Sequence, residues 1–413
     1  MKNTLEIPLD LPDVKLEKAE INEAGDFIIT VSSTRAGARC HRCGREITKP
    51  YGHDREITLR HLPILGRKTY IRLRPKRYQC QDCRGKPTTT QTLSWYDARS
   101  PHTKAYEAQV LLSLVNSTVQ DVSRKEALGY EAVMGIIDRQ VASDVDWNTL
   151  TRLEIVGVDE IALRKGHRDF VTVVTAQTAG VTQLLAVLDG REKATVKAFF
   201  ERIPAPLSAT IETVCCDLYD GFINAAKEVF GPRVKVVADR FHVAKLYRQG
   251  LDRFRKHEMK RLKRSLPKAT YQELAGVMWL LRKDIEQFTA QQQRLLQRLA
   301  EHTPALVTAY LCGLALTRIF DTAPSVSEAQ LALRAWQQVV QAQSLTCFDE
   351  FFGTLERHGE EITNYFINRH TSGFVEGLNN KIKVIKRRCY GLLNLGHLFQ
   401  RIQLDLIGYA KFA

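Results

Sequence analysis

The stretch EIVGVDEIAL (residues 154–163) begins a run of strand and helix signals that decides the fold of the central part of the chain. Two more strand-like pieces follow it, RDFVTVVTAQ (168–177) and TQLLAVLDG (182–190). Each is rich in β-branched and apolar residues, and short connections separate them. Three consecutive strands of this kind predict an antiparallel meander.

After the meander, helices alternate with strands. The pieces EKATVKAFFERI (192–203) and GFINAAKEVFG (221–231) are predicted to be helices, and IETVCCD (211–217) and RVKVVAD (233–239) to be strands. Strands joined through helices need crossover connections and therefore parallel pairing. The resulting order, β-β-β-α-β-α-β, is that of a ribonuclease H-like core, so we expect an α/β domain of this type.

Acidic residues stand on the predicted strands of this core. Asp159 lies between apolar residues, where a carboxylate is costly unless an ion compensates it, and its neighbour Glu160 should face the other way. Asp217 ends the fourth strand, which in such a core neighbours the first, so Asp159 and Asp217 can share a metal ion. Asp239 ends the fifth strand, one strand further out, and is the alternative second acid. Aspartates that only cap a turn or helix remain an alternative.

A helix near the C-terminus supplies a third acid, Glu376. Asn379, Asn380 and Lys383 share its face at i+3, i+4 and i+7, so Glu376 can point at metals while these residues follow a nucleic acid. A surface glutamate is the alternative. His242, three residues after Asp239, is interpreted as part of a supporting unit or as a core histidine. Carboxylates suit hard cations, so we expect two Mg²⁺ (or Mn²⁺) ions.

Four of the nine cysteines form two CxxC pairs, which are Cys40 with Cys43 and Cys80 with Cys83. Two such pairs predict a closed tetrahedral site for one structural Zn²⁺. His41 is an alternative ligand, and a pair of redox dithiols is the alternative to a metal site. The odd count and uneven spacing of the cysteines favour a reducing compartment over a disulfide framework.

The formal net charge of +14 favours an anionic partner, and nucleic acid is the commonest one. A merely basic enzyme is the alternative. The basic residues that we expect to face DNA phosphates lie on the strands before the second CxxC pair and on the Glu376 helix, and are Arg72, Arg74, Lys76, Arg77, Lys383 and Arg387.

Between the cysteines and the core, three predicted helices with a short turn containing Gly129 favour a helix-turn-helix over a plain three-helix bundle. The predicted organisation is an N-terminal segment (1–35), a β-rich zinc-binding domain (36–90), a helix-turn-helix domain (91–148) and a catalytic domain (149–413). The catalytic domain is predicted to contain an all-α insertion at about 243–366. No apolar run reaches the length of a membrane span, and no secretory signal is evident, so we expect a cytoplasmic protein.

The chain resembles the ISL3 family of bacterial insertion-sequence transposases, which are of the DDE type. The resemblance extends over most of the chain from Cys40 and is carried by CHRCGRE (40–46), YQCQDC (78–83), VGVDEIALRKGH (156–167), CCDLYDGF (215–222), VVADRFHV (236–243) and TSGFVEGLNNKIKVIKRRCYG (371–391). It implies that Asp159, Asp217 and Glu376 are the catalytic acids and that Asp239 and His242 form a D-x-x-H motif found after the second acid.

The resemblance further implies metal-dependent hydrolysis of a phosphodiester at the ends of a mobile element, followed by attack of the freed 3′-hydroxyl on target DNA. The expected partners are double-stranded DNA, both element ends and target, and further copies of the chain in a homodimer or larger assembly. We expect such a protein at the bacterial nucleoid and not at a membrane. The alternatives are a regulator that only binds DNA and a nuclease of the same fold that cuts without joining.

Overall fold

The computed structural model divides the chain into two compact units, Met1–Ala142 with Gln400–Ala413, and Ser143–Phe399. It describes residues 7–162, 170–371, 373–389 and 394–413, and for Glu376 it describes the helix but not the side chain. The outer ends of two predicted strands, at 163 and 168–169, lie outside these residues. The last fourteen residues pack with the first unit, whereas the sequence-based boundary assigns them to the catalytic domain.

The first unit begins with small sheets. Its strands are β1 (Val14–Ile21), β2 (Phe27–Ser33), β3 (Ala38–Arg39), β4 (Glu46–Ile47), β5 (Lys49–His53), β6 (Ile57–Ile64), β7 (Arg67–Leu73), β8 (Lys76–Gln79) and β9 (Thr88–Thr90). They form sheets of order β1-β2-β7-β6, β3-β4 and β5-β8-β9. Alternate residues of β2 and β7, such as Val31 and Ile71, are buried, which is the pattern of half-buried strands.

Three helices follow, α1 (Lys104–Leu114), α2 (Val119–Glu126) and α3 (Tyr130–Gln140). The hydroxyl of Thr103 accepts a hydrogen bond from the N–H of Tyr106, and Thr118 caps α2 in the same way. The helices share an apolar core that also contains Leu404 of the C-terminal helix (Leu395–Phe412). This shared core explains why the end of the chain belongs to the first unit.

The second unit is built on a five-stranded sheet. Its strands are β10 (Glu154–Ala162), β11 (Phe170–Thr178), β12 (Val181–Asp189), β13 (Ile211–Cys216) and β14 (Lys235–Ala238), in the order β12-β11-β10-β13-β14. The first three pair antiparallel, and β10, β13 and β14 pair parallel. The predicted meander and the predicted parallel strands are therefore both present.

The connections between the parallel strands are helical, as parallel pairing requires. They are α4 (Lys193–Glu201), α5 (Ala205–Ser208) and α6 (Asp220–Phe230). Phe199 of α4 and Phe222 of α6 are buried in one cluster with the strand residues Val156 and Val214. These two helices therefore bury their apolar faces against the sheet.

A long helical region follows β14. Its helices are α7 (Arg240–Ser265), α8 (Lys268–Gln272), α9 (Val277–Leu280), α10 (Ala290–His302), α11 (Pro304–Thr322), α12 (Val326–Ala342), α13 (Asp349–Thr363), α14 (Tyr365–Asn368) and α15 (Gly373–Arg388). Short 3₁₀ helices lie at Trp147–Thr149, Gly231–Arg233, Ile285–Gln287 and Thr346–Phe348. The helices from α7 to α14 share an apolar core that includes Tyr310, Leu316 and Phe348.

Among the described residues, α11 is long and apolar enough to cross a membrane by length and composition. The expectation that no apolar run has this length therefore missed α11. Its apolar residues Leu306, Tyr310, Leu316 and Phe320 are buried in the helical core. Packing inside the protein accounts for the hydropathy of this helix, since the core helix of a folded domain has the same composition.

Candidate functional site

The four cysteines of the CxxC pairs meet at one point in the first unit. The Sγ atoms of Cys40, Cys43, Cys80 and Cys83 all lie within 4.8 Å of one another, and the Cys43 and Cys80 Sγ atoms are 3.8 Å apart. Four thiolates around Zn²⁺, with Zn–S bonds of about 2.3 Å in a tetrahedron, have S–S separations of about 3.8 Å. The cluster therefore has the donor set and spacing of a Cys₄ zinc site.

Backbone geometry prepares these thiols for a cation. The backbone N–H groups of Cys43 and Arg42 lower the pKa of the Cys40 thiol to about 6. A hydrogen bond with the side chain of Cys43, followed by burial, raises the pKa of the Cys83 thiol to about 12. The imidazole of His41, the alternative ligand, instead makes a 3.0 Å hydrogen bond with the hydroxyl of Thr89.

The basic residues before the second CxxC pair differ in their exposure and in whether their side chains contact other residues. Arg72 lies 3.3 Å from a carboxylate oxygen of Glu56, and Arg77 donates a 2.6 Å hydrogen bond to Thr88. Arg74 is exposed, and Lys76 is half-buried. Arg74 is therefore the member of this set that is most accessible to a phosphate.

A buried carboxylate organises the three helices of the first unit. Glu107 of α1 accepts hydrogen bonds from Ser100 (2.6 Å), Arg139 (2.5 Å) and Gln140 (2.6 Å). Burial alone would raise the pKa of Glu107, but the imidazole of His102, 3.8 Å away, and these hydrogen bonds lower it to about 2. The ionised Glu107 therefore fixes α3, the second helix of the predicted helix-turn-helix, against α1.

Three aspartates form a row at the carboxyl ends of the parallel strands. Val158 of β10 is in register with Cys216 of β13, which is in register with Ala238 of β14. Asp159, Asp217 and Asp239 each follow one of these three residues. The predicted adjacency of Asp159 and Asp217 is therefore present, and Asp239 is one strand further out as expected.

Asp217 and Asp239 have different surroundings within this row. Asp239 is buried and caps α7 by accepting a 3.0 Å hydrogen bond from the N–H of Phe241. His242 Nε2 lies 3.8 Å from the other Asp239 oxygen. Asp217 is half-buried and accepts only a 3.2 Å hydrogen bond from the N–H of Tyr219 among the described residues. Asp217 is therefore the acid that remains open to a ligand.

The carboxylates of the row disfavour each other's ionisation. Burial raises the pKa of Asp217 to about 6; His242 opposes this rise, and the carboxylates of Asp159 and Glu160 add to it. Burial also raises the pKa of Asp159, while the N–H of Glu160 and the charge of His242 oppose the rise and Asp239 adds to it. A divalent cation bound between these adjacent carboxylates would favour their ionised forms and lower their raised pKa values.

Helix α15, which carries Glu376, packs directly on β10. A Cβ atom at Gly157 would lie 2.2 Å from Cγ2 of Val375 and 2.8 Å from Cζ of Phe374, so only glycine permits this approach. The buried face of α15 consists of Val375, Leu378, Ile382 and Ile385. Glu376 follows Val375 in this helix, but its side chain lies outside the described part of the structure.

Polar contacts complete the attachment of α15. Asn379 is buried and donates a hydrogen bond to Asp159, so it does not face a nucleic acid as its position on the helix predicts. Its Oδ1 atom is buried and has no hydrogen-bond partner among the described residues. Lys386 donates to the carbonyl of Ala162, whereas Lys383 and Arg387 are exposed.

A groove of about 310 Å³ opens beside Asp217. Its lining includes Tyr219, His242, Lys245 and Arg191, an arginine that no sequence motif singled out. A single arginine after a turn belongs to no sequence motif. Its position beside Asp217 becomes evident only once the strands have assembled into the sheet. The guanidinium of Arg191 donates a 2.9 Å hydrogen bond to Glu160. The side chain of Glu160 is expected to face away from Asp159, yet the charge of Glu160 contributes to the raised pKa of Asp217.

Three protein-family models match parts of this chain. A family model described as "Transposase", that of the ISL3 family, matches residues 156–402. One described as "zinc-finger of transposase IS204/IS1001/IS1096/IS1165" matches residues 36–83, and one described as "Helix-turn-helix domain of transposase family ISL3" matches residues 91–141. The predicted zinc-binding and helix-turn-helix segments are thereby confirmed as members of these families.

Two curated relatives extend the similarity to nearly the whole chain. The transposase for insertion sequence element IS1001 of Bordetella parapertussis is 27% identical over 375 residues, which are 90% of this chain and 89% of the relative. The transposase for insertion sequence element IS1557 of Mycobacterium tuberculosis is 25% identical over an alignment of 429 positions that covers 97% of this chain and 93% of the relative. The transposase family model also matches more than half of the residues of this chain, and the chain therefore belongs to the ISL3 family of DNA transposases.

Proposed function

We propose that this transposase cuts and joins DNA with three carboxylates, Asp159, Asp217 and Glu376. The observation that carries the proposal is the placement of Asp159 and Asp217 side by side on neighbouring parallel strands. The hydrogen bond from Asn379 to Asp159 supports it further, because Asn379 lies one turn after Glu376 on α15. Glu376 is assigned by its position in this helix.

The residues present fit a site for two Mg²⁺ (or Mn²⁺) ions. Hard divalent cations take oxygen ligands, and the site offers the carboxylates of Asp159 and Asp217 and the Oδ1 of Asn379, which has no partner among the residues that the structure describes. Such ions, when bound, activate the attacking water or 3′-hydroxyl and stabilise the leaving oxygen. The protein's own part is to hold the carboxylates in a row and to keep them half-buried, so that their charges are attracted strongly to a cation.

We further propose that Asp239 and His242 support this site without binding the metals. Asp239 already caps α7, and its second oxygen faces the imidazole of His242 at 3.8 Å. His242 in turn acts on both Asp159 and Asp217, since its charge favours their ionised forms. This pair therefore fixes the start of α7 and balances the negative charge of the row.

The sheet order and helical crossovers support a ribonuclease H-like catalytic core. Three antiparallel strands followed by two parallel strands agree with that core, and the helices after β14 are then an insertion at about 243–366 that separates Glu376 from the other acids. In this proposal the domains are 1–35, 36–90, 91–148 and a catalytic domain from 149 onward.

The first unit is proposed to hold one structural Zn²⁺ at Cys40, Cys43, Cys80 and Cys83. The distances between their sulfur atoms support this, and the matching zinc-finger family model agrees with it. Zinc would then fix the two CxxC turns together and keep the small sheets around them folded, because the sheets are too short to bury a large core.

The proposed reaction is hydrolysis at the element's ends followed by attack of the freed 3′-hydroxyl on target DNA. The partners are then double-stranded DNA and further copies of this chain, since two ends must be held together, and the proposed location is the bacterial nucleoid in the cytoplasm. The residues proposed to contact DNA phosphates are Arg72, Arg74, Lys76, Arg77, Lys383 and Arg387. Arg74, Lys383 and Arg387 are the exposed members of this set.

Incubation with duplexes carrying candidate terminal inverted repeats and Mg²⁺ tests the proposal. Nicks at the element end together with joined products are expected. Nicks without joined products would indicate a nuclease, and binding without nicks would indicate a regulator that acts through its DNA-binding domains alone. The Asp159→Asn variant serves as the control for contaminating nucleases.

A further inference from the structure

Arg191 is held in one orientation by three neighbours at the edge of the groove. Its guanidinium donates to Glu160 at 2.9 Å and lies 5.1 Å from the ring centroid of Phe170 and 5.2 Å from that of Tyr219. Contacts of this kind between a guanidinium and aromatic rings are attractive and restrict the side chain. Arg191 is therefore a cation whose position is fixed before any ligand arrives.

The surroundings of Arg191 are unlike those of a purely structural ion pair. The Arg191 side chain is 43% exposed and Glu160 is 27% exposed, so the pair is open to solvent on the groove side. Arg191 lines the groove together with Asp217, and Lys245 is the other cation of that lining. A guanidinium carries five N–H donors, and a single one of them donates to Glu160.

We propose that Arg191 binds a phosphate of the DNA strand being cut, beside Asp217. This inference rests on the proposed carboxylate site and adds to it a phosphate-binding residue. The other N–H donors of this fixed guanidinium have no hydrogen-bond partner within the described part of the chain, and they match the oxygens of a phosphodiester. The charge of Arg191 offsets the negative charge that accumulates where a phosphate approaches three aspartates. Glu160 is then a positioning residue, which acts by orienting Arg191 and does not touch the DNA.

The first experiment compares Arg191→Gln with a matched arginine outside the groove. Arg202 is also paired with an aspartate, Asp144 at 2.8 Å, and lies 5.7 Å from the ring centroid of Phe199, but it does not line the groove. Arg191→Gln should slow cleavage of a terminal-repeat duplex roughly 100-fold. Arg202→Gln should cut within about threefold of the wild type and bind the duplex as the wild type does. Arg191→Gln should lose much less binding than cleavage, because one phosphate contact is a small part of the total affinity.

The second experiment locates the phosphate. Phosphates within three nucleotides of the cleavage site are replaced one at a time by neutral methylphosphonates. At one position the replacement should slow the wild type but cause little further loss in Arg191→Gln, because the partner charge is already absent. The double variant Glu160→Gln/Arg191→Gln should be no slower than Arg191→Gln, whereas independent roles would give additive losses.

The outcomes separate this inference from the proposed function. If Asp159→Asn and Asp217→Asn cut normally, the carboxylate site itself is wrong. If those variants are inactive but Arg191→Gln cuts at the wild-type rate, the carboxylate site stands and the role of Arg191 is refuted. Slow cleavage by Arg191→Gln with additive losses at every methylphosphonate position would also overturn the inference, since it would reduce Arg191 to a structural role.

Discussion

The side-chain amide of Asn379 donates a hydrogen bond to the carboxylate of Asp159, although 220 residues separate them in the chain. The same helix touches β10 at Gly157 and again where Lys386 donates to the carbonyl of Ala162. Helix α15 is thus attached along the length of the strand that carries Asp159. An acid on α15 therefore needs no flexible loop to reach the aspartate row.

The first prediction concerns the three proposed acids. Asp159→Asn, Asp217→Asn and Glu376→Gln should each reduce cleavage of a terminal-repeat duplex by more than 1,000-fold, on the order of losses seen for other catalytic groups. Binding of the duplex should change less than about threefold, because we expect the zinc-binding and helix-turn-helix segments to provide most of the affinity. A gel assay for nicks and a binding isotherm measure the two effects.

The choice of the second acid has its own control. Asp239→Asn removes a carboxylate from the same row but leaves Asp217 in place. Since asparagine caps a helix about as well as aspartate does, we expect the variant to keep the cap of α7 and to retain measurable cleavage. Normal cutting by Asp217→Asn together with complete loss in Asp239→Asn would show that Asp239, and not Asp217, is the second acid.

The close approach of α15 to the sheet predicts that Gly157 cannot be replaced. In Gly157→Ala the new methyl group overlaps Val375 and Phe374, so the helix must shift, at a cost of about 1–3 kcal/mol. Cleavage should fall at least tenfold, since Asn379 and Glu376 move with the helix. Gly353→Ala on α13, where an added Cβ meets nothing within 4 Å, is the control and should cut normally. Equal activity of the two variants would refute the packing argument.

Zinc analysis tests the cysteine cluster. Protein purified without chelators should contain one Zn²⁺ per chain, and the double change Cys40→Ser with Cys83→Ser should abolish it, since two of four ligands are lost. Cys389→Ser, outside the cluster, should leave the zinc content unchanged. Wild-type protein without zinc in elemental analysis would contradict the proposal.

The buried Glu107 predicts a pH-dependent stability. Its pKa is lowered from 4.5 to about 2 in the folded chain, so it stabilises the fold above pH 4.5, and this contribution is lost as the pH falls toward 2. Glu107→Gln should lower the free energy of unfolding by about 1–3 kcal/mol at pH 7. The difference between wild type and variant should shrink between pH 5 and pH 3 in urea titrations. A constant difference over that range would show that Glu107 is not ionised in the fold.

The sequence predicted the strands of the five-stranded sheet because their apolar runs are interrupted by turn and helix signals at regular points. It also placed Asp159 and Asp217 on adjacent strands, since the expected ribonuclease H-like core has a known order of strands. Two short cysteine motifs were enough to predict the cysteine cluster. These are features that local residue patterns determine.

Contacts between distant parts of the chain could not be read in this way. The burial of Asn379 against Asp159 depends on how closely α15 approaches β10, which Gly157 controls through its missing side chain. Arg191 acquires its neighbours only when three strands and the start of α4 come together. The packing of the chain's last residues with the first unit likewise depends on a core around Leu404 that no motif signals.

The last prediction concerns the exposed basic residues of α15. Lys383 and Arg387 stand one turn apart and are both exposed, beyond the helix segment that holds Glu376. If the DNA strand leaves the site along this helix, Lys383→Ala and Arg387→Ala should each weaken binding to all duplexes alike, because phosphate contacts carry no sequence information. Each change should also make the dependence of log affinity on log salt shallower by about one unit.

The control for this prediction must be an exposed cation that has no structural task. Lys386 on the same helix is unsuitable, because it is half-buried and donates to the carbonyl of Ala162. Arg334 on α12 is exposed, and Arg334→Ala should leave the salt dependence of binding unchanged. A merely solvated basic face would give equal, small effects at Lys383, Arg387 and Arg334. Binding isotherms over a salt series distinguish the two cases, and equal slopes for all three variants would show that α15 does not follow the DNA.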